Sequence, residues 1–222
     1  MLILALDGAS ASGAGFGLVR NGPDGLSLLR ERRETGQGAA VRLPALLSAA
    51  LDRKPDLIAA IVGPGSFTGL RATLALAHGL AAGTGAEVIG VSVGEALAPA
   101  LLAFGTATPL WCVSQARRDR VFIEAIAGDG RVAAPVSVTL EALPDPGGAP
   151  VLAGDAAAVV GAILAGRGIG WTPGPSVAAP VAIAAAALRR RDGMLSPRDA
   201  QPLYVDPPEA KLPGARSPAA RP

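Results

Sequence analysis

The sequence predicts an α/β fold built from two similar halves. Short, wholly apolar runs alternate with longer segments of helical periodicity, which is the pattern of strands joined by helices. Each half places strands first and alternating helices afterwards, so the order suggests a duplicated α/β unit, although no repeat is visible letter by letter. Hydrophobic residues make up 50% of the 222 residues and charged residues 17%, which is enough apolar chain for a core and excludes disorder as the main state.

The elements of the first half follow from apolar runs and from the turn residues between them. The first run ends at Asp7-Gly8, and an Asn-Gly-Pro-Asp-Gly segment separates the next two strands. The first helix carries leucines on one face, and Pro44 fits its first turn. The predicted strands are Leu2–Leu6, Gly15–Val19, Leu26–Arg30, Leu57–Val62 and Glu87–Val91, and the predicted helices are Leu43–Leu51, Thr68–Ala82 and Val93–Phe104.

The second half is predicted to begin after a boundary at 105–109. Its predicted strands are Leu110–Ser114, Val121–Ala127, Arg131–Val138, Val151–Ala153 and Ile169–Trp171, and its predicted helices are Ala156–Ala165 and Val177–Arg191. We expect the Pro-, Ala- and Arg-rich segment 212–222 to be a flexible tail. The prediction is therefore an N-terminal lobe over residues 1–104, a C-terminal lobe over 105–211 and the tail.

Charge and composition exclude several classes of protein. The chain carries 20 Lys and Arg against 18 Asp and Glu, whereas a dedicated polyanion-binding protein shows a larger or more localised excess of positive charge. One cysteine, Cys112, and one histidine, His78, cannot build an internal disulfide or a Cys/His metal cluster. The N-terminus lacks the basic region of a signal peptide, and no run reaches the ~18–20 apolar residues that span a bilayer. We therefore expect a cytoplasmic protein with no membrane partner.

The most informative segment is a glycine-rich loop between an apolar strand and an alanine-rich helix. Its residues are Gly63, Pro64, Gly65, Ser66, Phe67, Thr68, Gly69, Leu70 and Arg71. Ser66 and Thr68 are suited to cap the helix, whose first N–H groups can hold an anion or a nucleotide phosphate with help from Arg71. The alternative is a tight, well-capped turn without a ligand. The loop is neither a Walker A motif nor Gly-x-Gly-x-x-Gly.

This loop resembles the signature of the TsaB (YeaZ) family, the bacterial accessory subunit for threonylcarbamoyladenosine modification of tRNA. The nine residues GPGSFTGLR stand between a strand and a helix, as they do in that family. Weaker matches follow in family order from residue 2 to about residue 211. They are Ile3–Asp7, Leu43-Pro44 with Leu46-Leu47, Gly90–Ser92, Glu95–Ala98, Ala116–Arg118 with Val121-Phe122, Ala153–Ala156 and Pro202–Lys211.

Three departures from the family pattern concern a nucleotide or metal site. After Asp7 the family carries small hydroxyl residues, whereas this chain has the run Gly8-Ala9-Ser10-Ala11-Ser12. Gln115 stands where an aspartate is common, and residues 37–41 lack the family's histidine before the first helix. These differences argue against an intact nucleotide or metal site.

The resemblance implies two ribonuclease-H-like lobes, the superfold shared by actin, Hsp70 and sugar kinases (ASKHA). It also implies a partner, TsaD, which has the same fold, carries the metal and transfers the threonylcarbamoyl group. The family's accessory subunit lacks that chemistry, pairs with TsaD, is joined by the ATPase TsaE and reaches tRNA through the complex. On this basis we expect no catalytic residue, no metal and no cofactor of its own, with ATP or ADP expected only at the subunit interface of the complex.

The residue inventory agrees without reference to the family. A metal-dependent transferase or protease needs clustered His or carboxylate ligands, which one histidine cannot supply. A kinase needs carboxylates for Mg²⁺ and a base. Asp7 and Asp155 are the candidates, although each lies at a strand end, where Asp commonly shapes a turn. Two other functions stay open, namely a stand-alone small-molecule kinase or ATPase of the same fold, and a direct tRNA-binding module.

The helices at 43–51 and 68–82 carry the predicted partner surface. The second is apolar nearly all round, which favours a partner helix on its outer side. The resemblance points to the same two helices for binding TsaD, and for a homodimer when TsaD is absent. The predicted interface residues are Leu43, Leu46, Leu47, Leu70, Leu74, Ala77, His78 and Ala81. Ala75, Gly79 and Gly83 form a row of small residues beside these positions on the second helix, which permits close approach of a partner helix. The alternative is that the stripes of both helices simply pack on the sheet.

Two further features have competing interpretations. Arg117, Arg118 and Arg120 lie in a predicted hairpin turn, where they either contact tRNA phosphates or are simply solvated. Cys112 lies in an apolar strand and is predicted to be a small core residue.

Overall fold

The structure is a computed structural model that describes residues 1–36 and 38–206. Its strands are β1 (Leu2–Asp7), β2 (Gly13–Gly22), β3 (Gly25–Thr35), β4 (Leu57–Gly63), β5 (Glu87–Ser92), β6 (Leu110–Gln115), β7 (Arg120–Ile126), β8 (Val136–Thr139), β9 (Val151–Ala153) and β10 (Thr172–Pro173). Its helices are α1 (Ala39–Ser48), α2 (Phe67–Thr84), α3 (Val93–Leu102), α4 (Ala157–Gly166) and α5 (Pro180–Arg191). The end of the family resemblance, residues 207–211, and the predicted tail, 212–222, lie outside the described residues.

The ten strands form two sheets of the same topology. The first sheet has the order β3-β2-β1-β4-β5, and the second, read from its opposite end, has the corresponding order β8-β7-β6-β9-β10. In each sheet three consecutive antiparallel strands are followed by two parallel ones. Helices α1 and α2 connect the parallel strands of the first sheet, whereas in the second sheet residues 140–150 lead to β9 without a helix and α4 connects β9 to β10. The predicted two-sheet α/β fold is confirmed, and the similarity between the halves exists in strand order although it is not visible in the letters.

The helices form layers outside and between the sheets. Alternation along β1 sends Leu2, Leu4 and Leu6 into a cluster with α1 and α2, while Ile3 and Ala5 join a second cluster with α3 and α5. A third cluster packs α4 on the second sheet, around Trp111, Val113, Leu152, Val160 and Leu164. The layer order is therefore α1 and α2, first sheet, α3 and α5, second sheet, α4.

The central helices cross between the two halves of the chain. Helix α5, which comes late in the sequence, packs on strands of the first sheet, and α3 packs on β6 and β7 of the second sheet. The division into lobes over residues 1–104 and 105–211 stays a prediction. Helix α3 lies in the first of these ranges but packs on the second sheet, and α5 lies in the second range but packs on the first sheet. None of the helices in the described ranges is long and apolar enough to cross a membrane.

Strand lengths differ from the prediction most at β2 and β3. The sequence predicts strands over Gly15–Val19 and Leu26–Arg30, whereas the structure extends them to Gly13–Gly22 and Gly25–Thr35. The extension of β3 runs through the charged residues 30–34, because β3 is an edge strand whose side chains are largely exposed.

Candidate functional site

The signature loop, residues 63–71, joins β4 to α2 and is anchored on the segment that follows β1. The Ser66 N–H donates to the Ala9 carbonyl oxygen at 2.6 Å. The Ser66 Oγ accepts the Gly69 N–H at 3.2 Å, so Ser66 is the N-cap of α2. Thr68 lies inside the first turn. Two of the amide groups expected to face an anion are therefore hydrogen-bonded within the chain.

Glycines on both sides of this junction permit two backbones to touch. A Cβ on Gly65 would overlap the Ala9 carbonyl, and one on Gly69 would overlap the Gly8 carbonyl. A Cβ on Gly8 would lie 2.6 Å from the Gly69 oxygen and from Thr73 Cγ2. Gly65 also has φ 154°, in the region that L side chains rarely adopt. Close packing of backbone on backbone thus accounts for these glycines.

Arg71 contacts aromatic side chains of its own chain. Its guanidinium carbon lies 3.8 Å from the centroid of the Phe67 ring, a cation–π geometry. Its Nε and NH2 groups donate to the Tyr204 hydroxyl at 3.0 and 2.8 Å. Phe67 and Tyr204 are both exposed, with ring centroids 5.9 Å apart. The predicted anion contact of Arg71 is thus replaced by an exposed cluster of two rings around one cation.

A small cavity lies between the two sheets, at the ends of β1 and β6. Its volume is about 20 Å³, and its polar lining comes from Asp7, Ser10, Ser114, Asp155 and Ser176. A cavity needs roughly 10–15 Å³ to hold one water molecule. The space between the sheets therefore has room for a water molecule.

Both aspartates at this cavity are hydrogen-bonded within the chain. Asp7 is buried; its Oδ2 accepts from the two terminal nitrogens of Arg33 at 3.2 and 3.3 Å, and its Oδ1 accepts the Ala9 N–H at 3.0 Å. Asp155 Oδ1 accepts the Gln115 N–H at 2.8 Å, and its Oδ2 accepts the Ala11 N–H at 3.3 Å. Asp155 therefore joins the loop after β1 to the end of β6, which is the structural turn role that the sequence left open.

Five of the eight predicted interface residues belong to the chain's own core. Leu43, Leu47, Leu70, Leu74 and Ala77 are each at most 3% exposed. Four of them pack in the cluster between the first sheet and its outer helices, and Leu70 packs in the cluster of the central layer. The leucine stripes thus cover the sheet, and these five side chains cannot contact a partner in the folded chain. Leu46 and Ala81 are half-buried, and His78 is exposed.

The outer face of α2 consists of small residues. Ala75, Gly79, Ala82 and Gly83 are exposed along successive turns, and we call this row the small-residue face. A Cβ added to Gly79 or Gly83 would meet nothing within 4 Å. His78 borders the face, and its Nε2 lies 2.8 Å from the Ala200 carbonyl oxygen. A helix surface of this kind lets another helix approach closely.

A buried polar network lies where α3 meets the second sheet, and the sequence analysis missed it. Glu124 on β7 is 1% exposed; its carboxylate accepts the Ser92 hydroxyl and the Gly94 N–H, both at 2.7 Å. Burial, together with the charge of Glu95, raises the pKa of Glu124 to about 7 despite these hydrogen bonds. A carboxylate on one sheet thus binds the N-terminus of a helix that follows the other sheet.

Glu95 completes this network through two arginines. Its Oε1 pairs with Arg190 of α5 at 2.5 Å and with Arg198 at 3.3 Å, and its Oε2 accepts the Ser92 N–H in a capping box. Burial alone would raise the pKa of Glu95, but the Arg190 hydrogen bond leads the contacts that lower it below the ordinary value. The Ser92–Glu95 spacing is a visible capping signal; the burial of Glu124 has no local signal.

The remaining predicted residues are placed as follows. Cys112 is buried in β6, as expected, and burial raises the pKa of its thiol well above the ordinary value.

Arg117 and Arg118 are exposed at the β6–β7 turn, while Arg120 Nε donates to Ser137 Oγ at 3.0 Å. Within residues 1–36 and 38–206, no group of three or more His, Cys, Asp or Glu side chains is arranged to hold a metal ion.

Comparisons with known proteins find a family match over part of the chain and solved structures with the same fold. Residues 42–134 match the family model described as TsaD, tRNA N6-adenosine threonylcarbamoyltransferase. Two solved structures from Pseudomonas aeruginosa share the fold: a protein with similarity to peptidase YeaZ, and YeaZ itself. Both are 22% identical to this chain, with TM-scores of 0.67 and 0.66; they cover 92% and 91% of this chain and 99% of their own length. The sequence matches no curated protein. The chain thus has a YeaZ-like fold and a TsaD family match over residues 42–134, which confirms the predicted resemblance.

Proposed function

We propose that this chain is the non-catalytic partner subunit of a bacterial tRNA N6-threonylcarbamoyladenosine synthase, and that it binds and activates the catalytic subunit TsaD. The TsaD family match over residues 42–134 and the YeaZ-like fold support a place in this tRNA modification system. A protein that shares the fold of a catalytic relative without its chemistry is expected to work by binding.

One observation carries the non-catalytic part of the proposal. The carboxylates that a kinase of this fold would use, Asp7 and Asp155, are hydrogen-bonded within the chain on either side of a cavity of about 20 Å³. A carboxylate held by an arginine and by backbone amides is not placed to bind Mg²⁺ or to accept a proton from a substrate.

The partner surface that we propose is the small-residue face of α2, together with the exposed side of α1. The face is apolar, unoccupied within the described chain and shaped for close approach of helices. It replaces the buried leucines of the original prediction and keeps the same two helices. We propose that the same face forms a homodimer when TsaD is absent, because a C2 interface uses one surface on both subunits.

The other components follow from this assignment. TsaE joins the assembly, tRNA is reached through the complex in the cytoplasm, and any ATP or ADP is bound at a subunit interface rather than by this chain alone.

The test is complex formation measured by light scattering after gel filtration. The purified chain is mixed with TsaD from the same organism, alongside an Ala75→Arg/Gly79→Arg variant. Because both positions are exposed, the variant should fold while blocking close approach at the helix face. Ala158→Arg, at an exposed position of α4 on the outer side of the second sheet, is the matched control. We expect a 1:1 complex with the wild type and the control and none with the α2 variant; absence of any complex with the wild type contradicts the proposal.

A further inference from the structure

Besides the cavity between the sheets, a hollow lies on the first sheet at the end of β1 opposite to Asp7. It has a volume of about 280 Å³. We call it the arginine hollow, because three of its lining side chains are Arg20, Arg30 and Arg53. Leu2 also lines it, so the length of β1, at ~3.3 Å per residue, separates it from Asp7 by roughly 17 Å.

The arginine hollow is lined by apolar and by charged residues. Leu2, Leu18 and Ala50, which are buried in the core under α1, belong to the apolar part of the lining. The lining contains three arginines and one carboxylate, Asp52, so it carries two net positive charges. Ligand pockets commonly combine such an apolar wall with a few convergent polar groups, and their volumes begin near ~300 Å³.

The three arginines of the hollow differ in their contacts with the rest of the fold. Arg30 is held in place by donation from NH1 to the Ala50 carbonyl at 2.9 Å. Within the described ranges, the guanidinium groups of Arg20 and Arg53 make no hydrogen bond or ion pair with the rest of the chain. One fixed guanidinium and two uncommitted ones thus border the same space.

We propose that the arginine hollow binds a phosphate group. Guanidinium groups bind phosphate oxygens through paired N–H donors, and two net positive charges match the charge of a phosphate monoester. The phosphate is either free, as inorganic phosphate or a small monoester, or part of an RNA backbone. None of these residues belongs to the small-residue face of α2, so the inference does not depend on the partner proposal.

The test is calorimetric titration of the full chain with inorganic phosphate at low ionic strength. The site variant is Arg20→Gln/Arg53→Gln, which leaves Arg30 and its backbone contact intact. Arg131→Gln/Arg167→Gln removes the same number of charges at exposed positions outside the hollow and is the matched control. Circular dichroism should show that all variants are folded.

Three results are expected. Phosphate should bind saturably at one site per chain, more than tenfold more weakly in the site variant and less than twofold more weakly in the control. Asp52→Asn should tighten binding several-fold, because it removes the one negative charge of the lining. Competition with tRNA distinguishes the sources: displacement of phosphate by tRNA assigns the site to an RNA backbone, and lack of displacement assigns it to a free phosphate. Absence of saturable binding, or equal weakening in the two double variants, overturns the proposal.

Discussion

The Asp7 carboxylate accepts hydrogen bonds from both terminal nitrogens of Arg33, at 3.2 and 3.3 Å, across the antiparallel strands β1, β2 and β3. Asp7 ends the first strand and lines the space between the two sheets. An ion pair formed within the chain therefore occupies the carboxylate that phosphoryl transfer would require at this place.

Replacing Asp7 by asparagine separates the structural role from a catalytic one. We expect Asp7→Asn to lower the free energy of unfolding by about 1–3 kcal/mol, because it leaves the Arg33 guanidinium, which is 27% exposed, without its charged partner. Urea denaturation measures this loss. ATP hydrolysis should stay at background in both proteins. The control Glu34→Gln, which breaks the more exposed pair with Arg42, should cost ~0.5 kcal/mol or less. Turnover of ATP by the wild type that disappears in Asp7→Asn would contradict this account.

Glycines of α2 should respond to alanine in opposite directions. Gly69→Ala should destabilise the chain by about 1–3 kcal/mol, because its Cβ would overlap the Gly8 carbonyl. Gly83→Ala, in the same helix and facing open space, should stabilise it by about 0.5–1 kcal/mol through helix propensity. Thermal and urea unfolding of both variants provide the measurement. Equal effects of the two substitutions would show that the loop contacts are not as described.

Glu124 should make stability depend on pH in an unusual direction. Because its pKa rises from 4.5 to about 7 on folding, the folded chain binds more protons than the unfolded chain between these values. The free energy of unfolding should then fall as pH rises from 4.5 to 7, by up to about 3 kcal/mol, and level off above 7. The lowered pKa of Glu95 acts with the opposite sign and below pH 4.5, outside this window.

Two substitutions isolate the contribution of Glu124. Glu124→Gln keeps one oxygen that can accept the Gly94 N–H, places an NH2 group that can donate to the Ser92 hydroxyl, and removes the ionisation, so the slope between pH 4.5 and 7 should disappear. Glu87→Gln, at an exposed position, should preserve it. Unfolding curves that keep the same slope in Glu124→Gln would assign the pH dependence to other groups.

Cys112 should be inert in the folded protein. Its side chain is buried, and its pKa lies well above the ordinary value, so little thiolate forms near neutral pH. We expect an aromatic disulfide reagent to modify none of the thiol in the native chain and one equivalent in guanidinium chloride. Rapid modification without denaturant would place Cys112 at the surface.

The order of the elements could be predicted because most strands are buried apolar runs with clear ends. The run Leu2–Leu6, for example, differs from β1 by one residue. The length of β3 could not be predicted in the same way: its charged residues lie on an edge strand, where exposure removes the apolar pattern. The crossing of α3 and α5 between the sheets depends on packing between distant segments, which local periodicity does not encode.

The candidate site was predictable in its location and not in its details. The signature loop and α2 are where the sequence predicts them, and Ser66 caps the helix as expected. The sequence predicts a partner on the leucines of α2, because periodicity identifies an apolar stripe without identifying what covers it. Leu74 faces the chain's own sheet, and the exposed face consists of alanine and glycine. The Asp7–Arg33 and Ser92–Glu124 contacts join residues about 30 positions apart, which only the tertiary structure brings together.

The most direct test of the central claim is tRNA threonylcarbamoylation by TsaD from the same organism, with and without this chain. TsaD with TsaE, ATP and tRNA should form little product alone and much more when the wild-type chain is added. Asp7→Asn should activate as well as the wild type, because the chain contributes no chemistry, whereas Ala75→Arg/Gly79→Arg should not activate. If TsaD is equally active without this chain, or if Asp7→Asn abolishes activation while the complex still forms, the chain is not a non-catalytic activator.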